Sequence, residues 1–196
     1  GLHLLAAAMD EIIVPDDISA ERTEKLLGAL NTAYDEIIID LPHRIDPAMA
    51  TILGHSDVIA LVTQQTVAHL HDTRRLLYLL RDRLGIAMDR ILLLVNRHDA
   101  KAEVKLEDFA EVFPGVALQT IPSDYVRASE SINLGIPICE SAASSPLGKA
   151  LLKLATGLSQ GSAQATGPAG PGPRPSDLAP PAPAPKKAGI LGWLKR

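Results

Sequence analysis

Aromatic residues are scarce in this chain, at 3% of 196 residues, and cysteine is scarcer, with Cys139 alone. A single cysteine excludes an intrachain disulfide framework and fits a reducing compartment. So few rings leave any core to aliphatic side chains, which a hydrophobic content of 46% supplies. No apolar run approaches the roughly 18 residues of a membrane-crossing helix. The opening residues, GLHLLAAAMD, have neither an initiator Met nor the charged start of a secretory signal. Their apolar stretch reads as a strand entering a sheet, so the chain is expected to begin in mid-domain. Positive charge is also scarce over most of the length. Residues 160–196 hold five Lys/Arg against one Asp, a balance of +4, whereas residues 1–159 hold 14 basic against 22 acidic side chains, −8. An acidic body argues against nucleic-acid binding there and directs the basic end toward an anionic surface.

What is present is an alternation of short apolar runs and amphipathic stretches. Leu2–Ala7, Glu36–Leu41 (EIIIDL), Asp57–Thr63 (DVIALVT), Arg90–Val95 (RILLLV) and Val116–Ile121 (VALQTI) read as strands. Apolar spacing predicts helices over Ile18–Leu30, Pro47–Leu53, Val67–Leu84, Lys105–Val112 and Ser144–Leu158, with a further helical stretch after Asp124. Continuous apolar strands between amphipathic helices are the pattern of a sheet covered on both faces, so the expected fold is α/β and mainly parallel. Residues 1–158 form this domain. From Ser159 to Pro185 the composition turns to Gly, Pro, Ala and Ser, which cannot bury a core, and this stretch reads as a disordered linker. Residues 186–196, KKAGILGWLKR, regain apolar character.

Ligands of such sheets sit outside the carboxyl ends of the strands, which directs attention to Asp40, Thr63, Asn96 and Pro122. Two readings stand for Asp40: a carboxylate presented to a hard cation, or a strand-ending Asp that caps the turn beside Pro42. Asn96 either offers its amide to a purine edge or bonds its own backbone in a turn. In IPSDYVRASESINLGIPICES the loop at Pro122 walls a base pocket, or Ser123 or Asp124 merely caps the next helix. His69 and His71 face different directions on a helix and do not suit a metal. His43 reads as a solvated loop residue. Cys139 has no matched base and reads as a packing residue. Arg74, Arg75, Arg81 and Arg83 read as a solvated helix face.

Taken in order, YDEIIIDLP, SDVIALVTQQTVAHLHDTRRLLYLL, RILLLVNR and LQTIPSDYVRASESINLGIPICES resemble the MinD/ParA class of deviant P-loop ATPases. Within that class they are most similar to the CpaE/TadZ branch of pilus-assembly proteins. The resemblance covers roughly residues 1–158 and implies a P-loop NTPase fold, incomplete at the N-terminus. It implies ATP and Mg²⁺ as cofactors of the intact protein, with Asp40 as the metal-side acid holding Mg²⁺ through water. It also implies that Asn96 is an adenine contact and that Pro122 and Asp124 lie at the base or ribose side. It further implies a homodimer, a cytoplasmic place peripheral to the inner membrane, and a localisation or adaptor role in Flp/Tad-type pilus assembly. Two rivals stand beside this reading: a MinD/ParA ATPase of cell division or partitioning, and a scaffold that keeps the fold without nucleotide.

The class's Gly- and Lys-rich phosphate loop has no counterpart here. The one Gly–Lys pair, Gly148–Lys149, is followed by Ala150 rather than Ser or Thr, and Ala143 stands where the pattern needs Gly. Without that cradle this chain alone is expected neither to hydrolyse ATP nor to hold nucleotide tightly. At the other end, Ile190, Leu191 and Leu194 share a face if the segment is helical, with Trp193 at its edge and Lys186, Lys187, Lys195 and Arg196 around it. Such a segment suits an anionic bilayer interface, each basic residue contributing about 1 kcal/mol near the surface. A partner protein is the alternative occupant.

Overall fold

A computed structural model describes residues 2–5, 18–43 and 45–164. The terminal segment Lys186–Arg196 and the linker beyond Gln164 lie outside the described residues. Helix α1 spans Ala20–Ala33, α2 Pro47–His55, and strand β1 follows at Ile59–Thr63. Next come α3 (Val67–Tyr78), a π-helical turn at Leu79–Arg83, a 3-10 turn at Met88–Arg90, and β2 (Ile91–His98). The chain continues through α4 (Leu106–Val112), β3 (Ala117–Pro122), α5 (Tyr125–Leu134), α6 (Ile138–Ser141) and α7 (Pro146–Gln164). The strands form a sheet of order β1-β2-β3, parallel throughout. The α/β, parallel expectation holds.

Helix starts follow local capping chemistry. Asp46 accepts from the Met49 amide at 2.9 Å with Pro47 at the first helical position, and the Thr66 hydroxyl accepts from the His69 amide at 3.2 Å. Both devices satisfy orphan N–H groups of a first turn. The sheet then sorts side chains by alternation. Ile91, Leu93 and Val95 face a core shared with Leu53 of α2, Leu77 and Leu80 of the α3 stretch, and Phe109 and Phe113 around α4. Leu93, Val95 and Phe109 are fully buried there. On the opposite face Leu94 lies beside Gln119, whose amide nitrogen reaches the Ala150 carbonyl of α7 at 3.5 Å. Helices thus cover both faces, α7 over β3 and α3 with α4 on the other side. Over β1 that second face is open, with Ala60 exposed and Val62 60% exposed.

Among the described residues, two expected strands do not form. Residues 2–5 make no ladder, although His3 Nδ1 meets the Tyr34 hydroxyl at 2.8 Å; Ala6 and Ala7 are outside the described residues. Residues 36–41 run without a ladder, and Ile38 is 92% exposed. A β-branched run becomes a strand only when a neighbour accepts and donates its backbone hydrogen bonds, and no described segment does so here. The last helix also continues beyond Leu158 to Gln164, because the helix-breaking prolines begin only at Pro168.

Candidate functional site at the carboxyl edge of the sheet

The parallel register brings the ends of β2 and β3 side by side. His98 pairs with Pro122 across a bulge that starts after Val95, and the Ser123 amide donates to the His98 carbonyl at 3.3 Å. Inside that bulge Arg97 has φ of 51°, the left-handed region that side-chain-bearing residues rarely adopt. Holding a residue there costs on the order of 1–3 kcal/mol, and such strain collects at functional sites. Asn96 supports it: its Oδ1 accepts from the Arg97 amide at 2.9 Å. The turn-type bond anticipated for this Asn is therefore made by the amide oxygen. The amide nitrogen has no partner among the described residues, and it sits half-buried at the sheet edge.

Gln65, just beyond β1, ties the third strand end to the same place. Its Nε2 donates to the Val104 carbonyl at 2.9 Å, while its Oε1 accepts from the Asp99 amide at 2.9 Å. A carbonyl needs a donor and an amide N–H needs an acceptor, so the orientation of this side chain is fixed from both ends. His98 Nδ1 lies 2.8 Å from the same Oε1. Gln65 and His98 were not among the residues singled out from sequence; the polar QQ pair directly after an apolar strand was the available signal.

The remaining candidates divide. Pro122 ends β3 and is half-buried at the edge. Asp124 caps α5, accepting from the Arg127 amide at 3.1 Å, and pairs with the Arg127 guanidinium at 2.7 Å. The guanidinium's hydrogen bond, aided by the amide, holds this carboxyl below its ordinary value. Thr63 is interior: its hydroxyl accepts from Thr73 of α3 at 2.8 Å, and it faces the core. Asp40 is exposed on the unladdered segment, and no hydrogen bond or ion pair joins it to this edge among the described residues. The N-cap of the next helix, α2, is Asp46 rather than Asp40.

The one Gly–Lys pair forms no phosphate cradle. Gly148 lies against the backbone of Ala142 and Ala143, and its amide donates to Ser145 Oγ at 3.0 Å, so the Gly–Lys pair is packed into a helix start. Among the described residues no three His, Cys, Asp or Glu side chains gather as a metal cage. No described helix is long and apolar enough to cross a membrane.

Comparison with family models and with curated proteins finds no match. Solved structures do match. A ParA family ATPase from Chlorobium tepidum TLS aligns with a TM-score of 0.64 and 27% identity over 72% of this chain and 58% of that one. The MinD cell division protein of Aquifex aeolicus aligns with a TM-score of 0.63 and 21% identity over 72% and 61%. The fold is MinD/ParA-like. This chain spans about three fifths of the length of those two proteins. At the sheet edge of this fold, Asn96 keeps its amide nitrogen without a partner among the described residues and Pro122 stands half-buried at the end of β3.

Proposed function

We propose that this chain carries the base-binding edge of a MinD/ParA-type ATP switch, and that the switch serves pilus assembly of the CpaE/TadZ kind as a localisation or adaptor component. The observation that supports it is the Asn96–Arg97 bulge: a left-handed residue stabilised by an Asn that keeps one amide nitrogen free at the ligand edge of a parallel sheet. Asn96 would donate to a ring nitrogen of adenine, Pro122 would pack on the base, and Asp124 would hold the loop through Arg127. Bound ATP with Mg²⁺ would supply the γ-phosphate that distinguishes two states of the switch. Asp40 would stand on the metal side, one carboxylate sufficing where phosphates and water complete the coordination of Mg²⁺. The intact protein would act as a dimer at the inner face of the membrane. Two basic tails on one dimer would bind an anionic surface far better than one.

The test is an amide-resolved NMR titration of this chain with adenosine and ADP. Shifts confined to Asn96, Arg97 and the Pro122–Asp124 loop, with weak millimolar-range affinity of about 4 kcal/mol, are expected. They should vanish in Asn96→Ala. Shifts elsewhere, or an unaffected Asn96→Ala variant, refute the reading.

A second reading is favoured by the likeness to the ParA family ATPase and to MinD: an ATPase of cell division or partitioning. A partition protein needs a basic surface for DNA, and the body balance of −8 opposes it. Salt-dependent DNA binding by residues 1–164 would favour this second reading over pilus assembly.

A further inference from the structure

Helix α5 is capped at both ends and packs against α6. Asp124 caps its start, and Gly135, at φ 65°, closes its end with Gly135 and Ile136 amides donating back to Ile132 and Ser131. None of its residues is buried. Tyr125, Val126, Ser129, Glu130, Asn133 and Leu134 line a shallow depression along one face, with Tyr125 77%, Val126 72% and Leu134 61% exposed. A helix this short owes most of its stability to packing of an apolar face, so an uncovered one asks for an occupant.

We propose that the occupant is the chain's own C-terminal segment, Ile190–Leu194. Three features single it out. The segment offers a matching apolar surface in Ile190, Leu191, Trp193 and Leu194. Its flanking Lys186, Lys187, Lys195 and Arg196 complement Glu130 in the depression and exposed Glu140 on α6, in a body of balance −8. A second copy of α5 offers no such cation, since Arg127 is committed to Asp124. The reach also fits. α7 has 19 residues, about 28 Å at 1.5 Å each, and its neighbour α6 also packs against α5. Residues 165–189 suffice to return over that distance, since a Pro-rich chain extends up to about 3.1 Å per residue.

Docking would hide the same apolar side chains that a bilayer would take up. The docking itself stands on α5 and the tail composition; its consequence, a tail released to the membrane only when α5 is vacated, rests on the anchor reading above.

Trp193, the only tryptophan, reports on this contact. In the full chain its emission should be blue-shifted, and several-fold less quenched by acrylamide, than in a free peptide of residues 186–196. Val126→Gln with Leu134→Gln alters exposed side chains without changing charge, and should return both signals to the peptide values while circular dichroism and thermal unfolding stay unchanged. Peptide-like emission in the unmodified chain, or a blue shift that survives the double substitution, overturns the proposal. A blue shift lost on dilution overturns it in favour of a second copy. With vesicles containing phosphatidylserine, the double variant should bind more tightly than the unmodified chain. If neither chain bound the vesicles while the Trp193 shift of the unmodified chain persisted, docking would stand and the anchor reading would fall.

Discussion

Replacing Gly148 and Gly157 by Ala, two identical substitutions on the same helix, should have opposite effects. At Gly148 an added Cβ would lie 2.3 Å from the Ala142 carbonyl oxygen and 2.9 Å from the Ala143 Cα. Both are backbone atoms, and that carbonyl is further fixed by the Ser145 amide at 3.0 Å and the Ser145 hydroxyl at 2.6 Å. No flexible side chain is available to yield, so α7 must move off the 142–145 turn. Forced overpacking costs about 1–3 kcal/mol, and contact with held backbone puts this site in the upper half of that range. Better helix propensity returns up to about 1 kcal/mol, leaving a net loss near 2 kcal/mol. For a domain of this size that is a fall of about 4–8 °C in Tm. At Gly157 nothing lies within 4 Å of the added Cβ, so only the propensity gain of about 0.5–1 kcal/mol remains and Tm should rise by about 1–3 °C. Urea titration with calorimetry measures both. If Gly148→Ala leaves Tm unchanged or raises it, the close approach of α7 to Ala142 is wrong.

Arg90 donates from its guanidinium to the carbonyls of Leu53, Gly54 and Ser56, closing the end of α2; Arg90→Met should cost about 2–3 kcal/mol in urea unfolding, and a neutral result would discount the clamp. Asp124 has its carboxyl held below the ordinary 3.8 by Arg127. Its contribution is therefore present above the unfolded value and lost as pH falls through the folded one. The stability advantage of the native chain over Asp124→Asn should shrink below about pH 4, and a constant difference from pH 6 down to pH 2 would contradict the pairing. Amide exchange should be slowest at Leu93 and Val95 in the buried central strand, and orders of magnitude faster at Ile37–Ile39; equal protection would mean that residues 36–41 belong to a ladder. Removing Lys186–Arg196 should release the protein from anionic liposomes, and unchanged binding would end the anchor reading.

The sheet was legible because its strands are apolar runs too dense for a one-sided strand, and β1, β2 and β3 lie within three residues of the expected runs. Cap chemistry was legible for the same local reason, as at Asp124, whose partner Arg127 is one helical turn away. Interactions set by tertiary approach were not. Arg90 looks like an ordinary charge before a strand, and its acceptors lie more than thirty positions earlier in α2 and just after it. Gln65 meets its partners at His98, Asp99 and Val104 only after a βαβ crossover has closed. Thr63, which by position belonged to the ligand edge, turns inward because alternation along β1 puts it on the Val95 face. Residues 36–41 carry a strand's composition without a strand's neighbours, and composition alone does not distinguish the two cases.

That last contrast separates the two halves of the candidate site. Asn96 is positioned by bonds that lie wholly within the described sheet: the bulge fixes Arg97, the Asn96 side chain answers it, and Gln65 and Ser123 lock the strand ends around it. These bonds fix its position without help from any residue outside the sheet edge. Asp40 is different. A carboxylate serves a metal only when its backbone is held to within a fraction of an ångström of the required place, and an exposed segment without a ladder does not hold it so. Open hydrogen-bonding positions on residues 36–41, with Ile38 facing solvent and Val62 exposed on β1, mark where additional strand pairing would have to occur before Asp40 could act. On the proposed reading the Asn96 edge is already held whereas the metal side is conditional on pairing, so preventing that pairing should abolish phosphate-dependent behaviour while leaving the Asn96 edge intact.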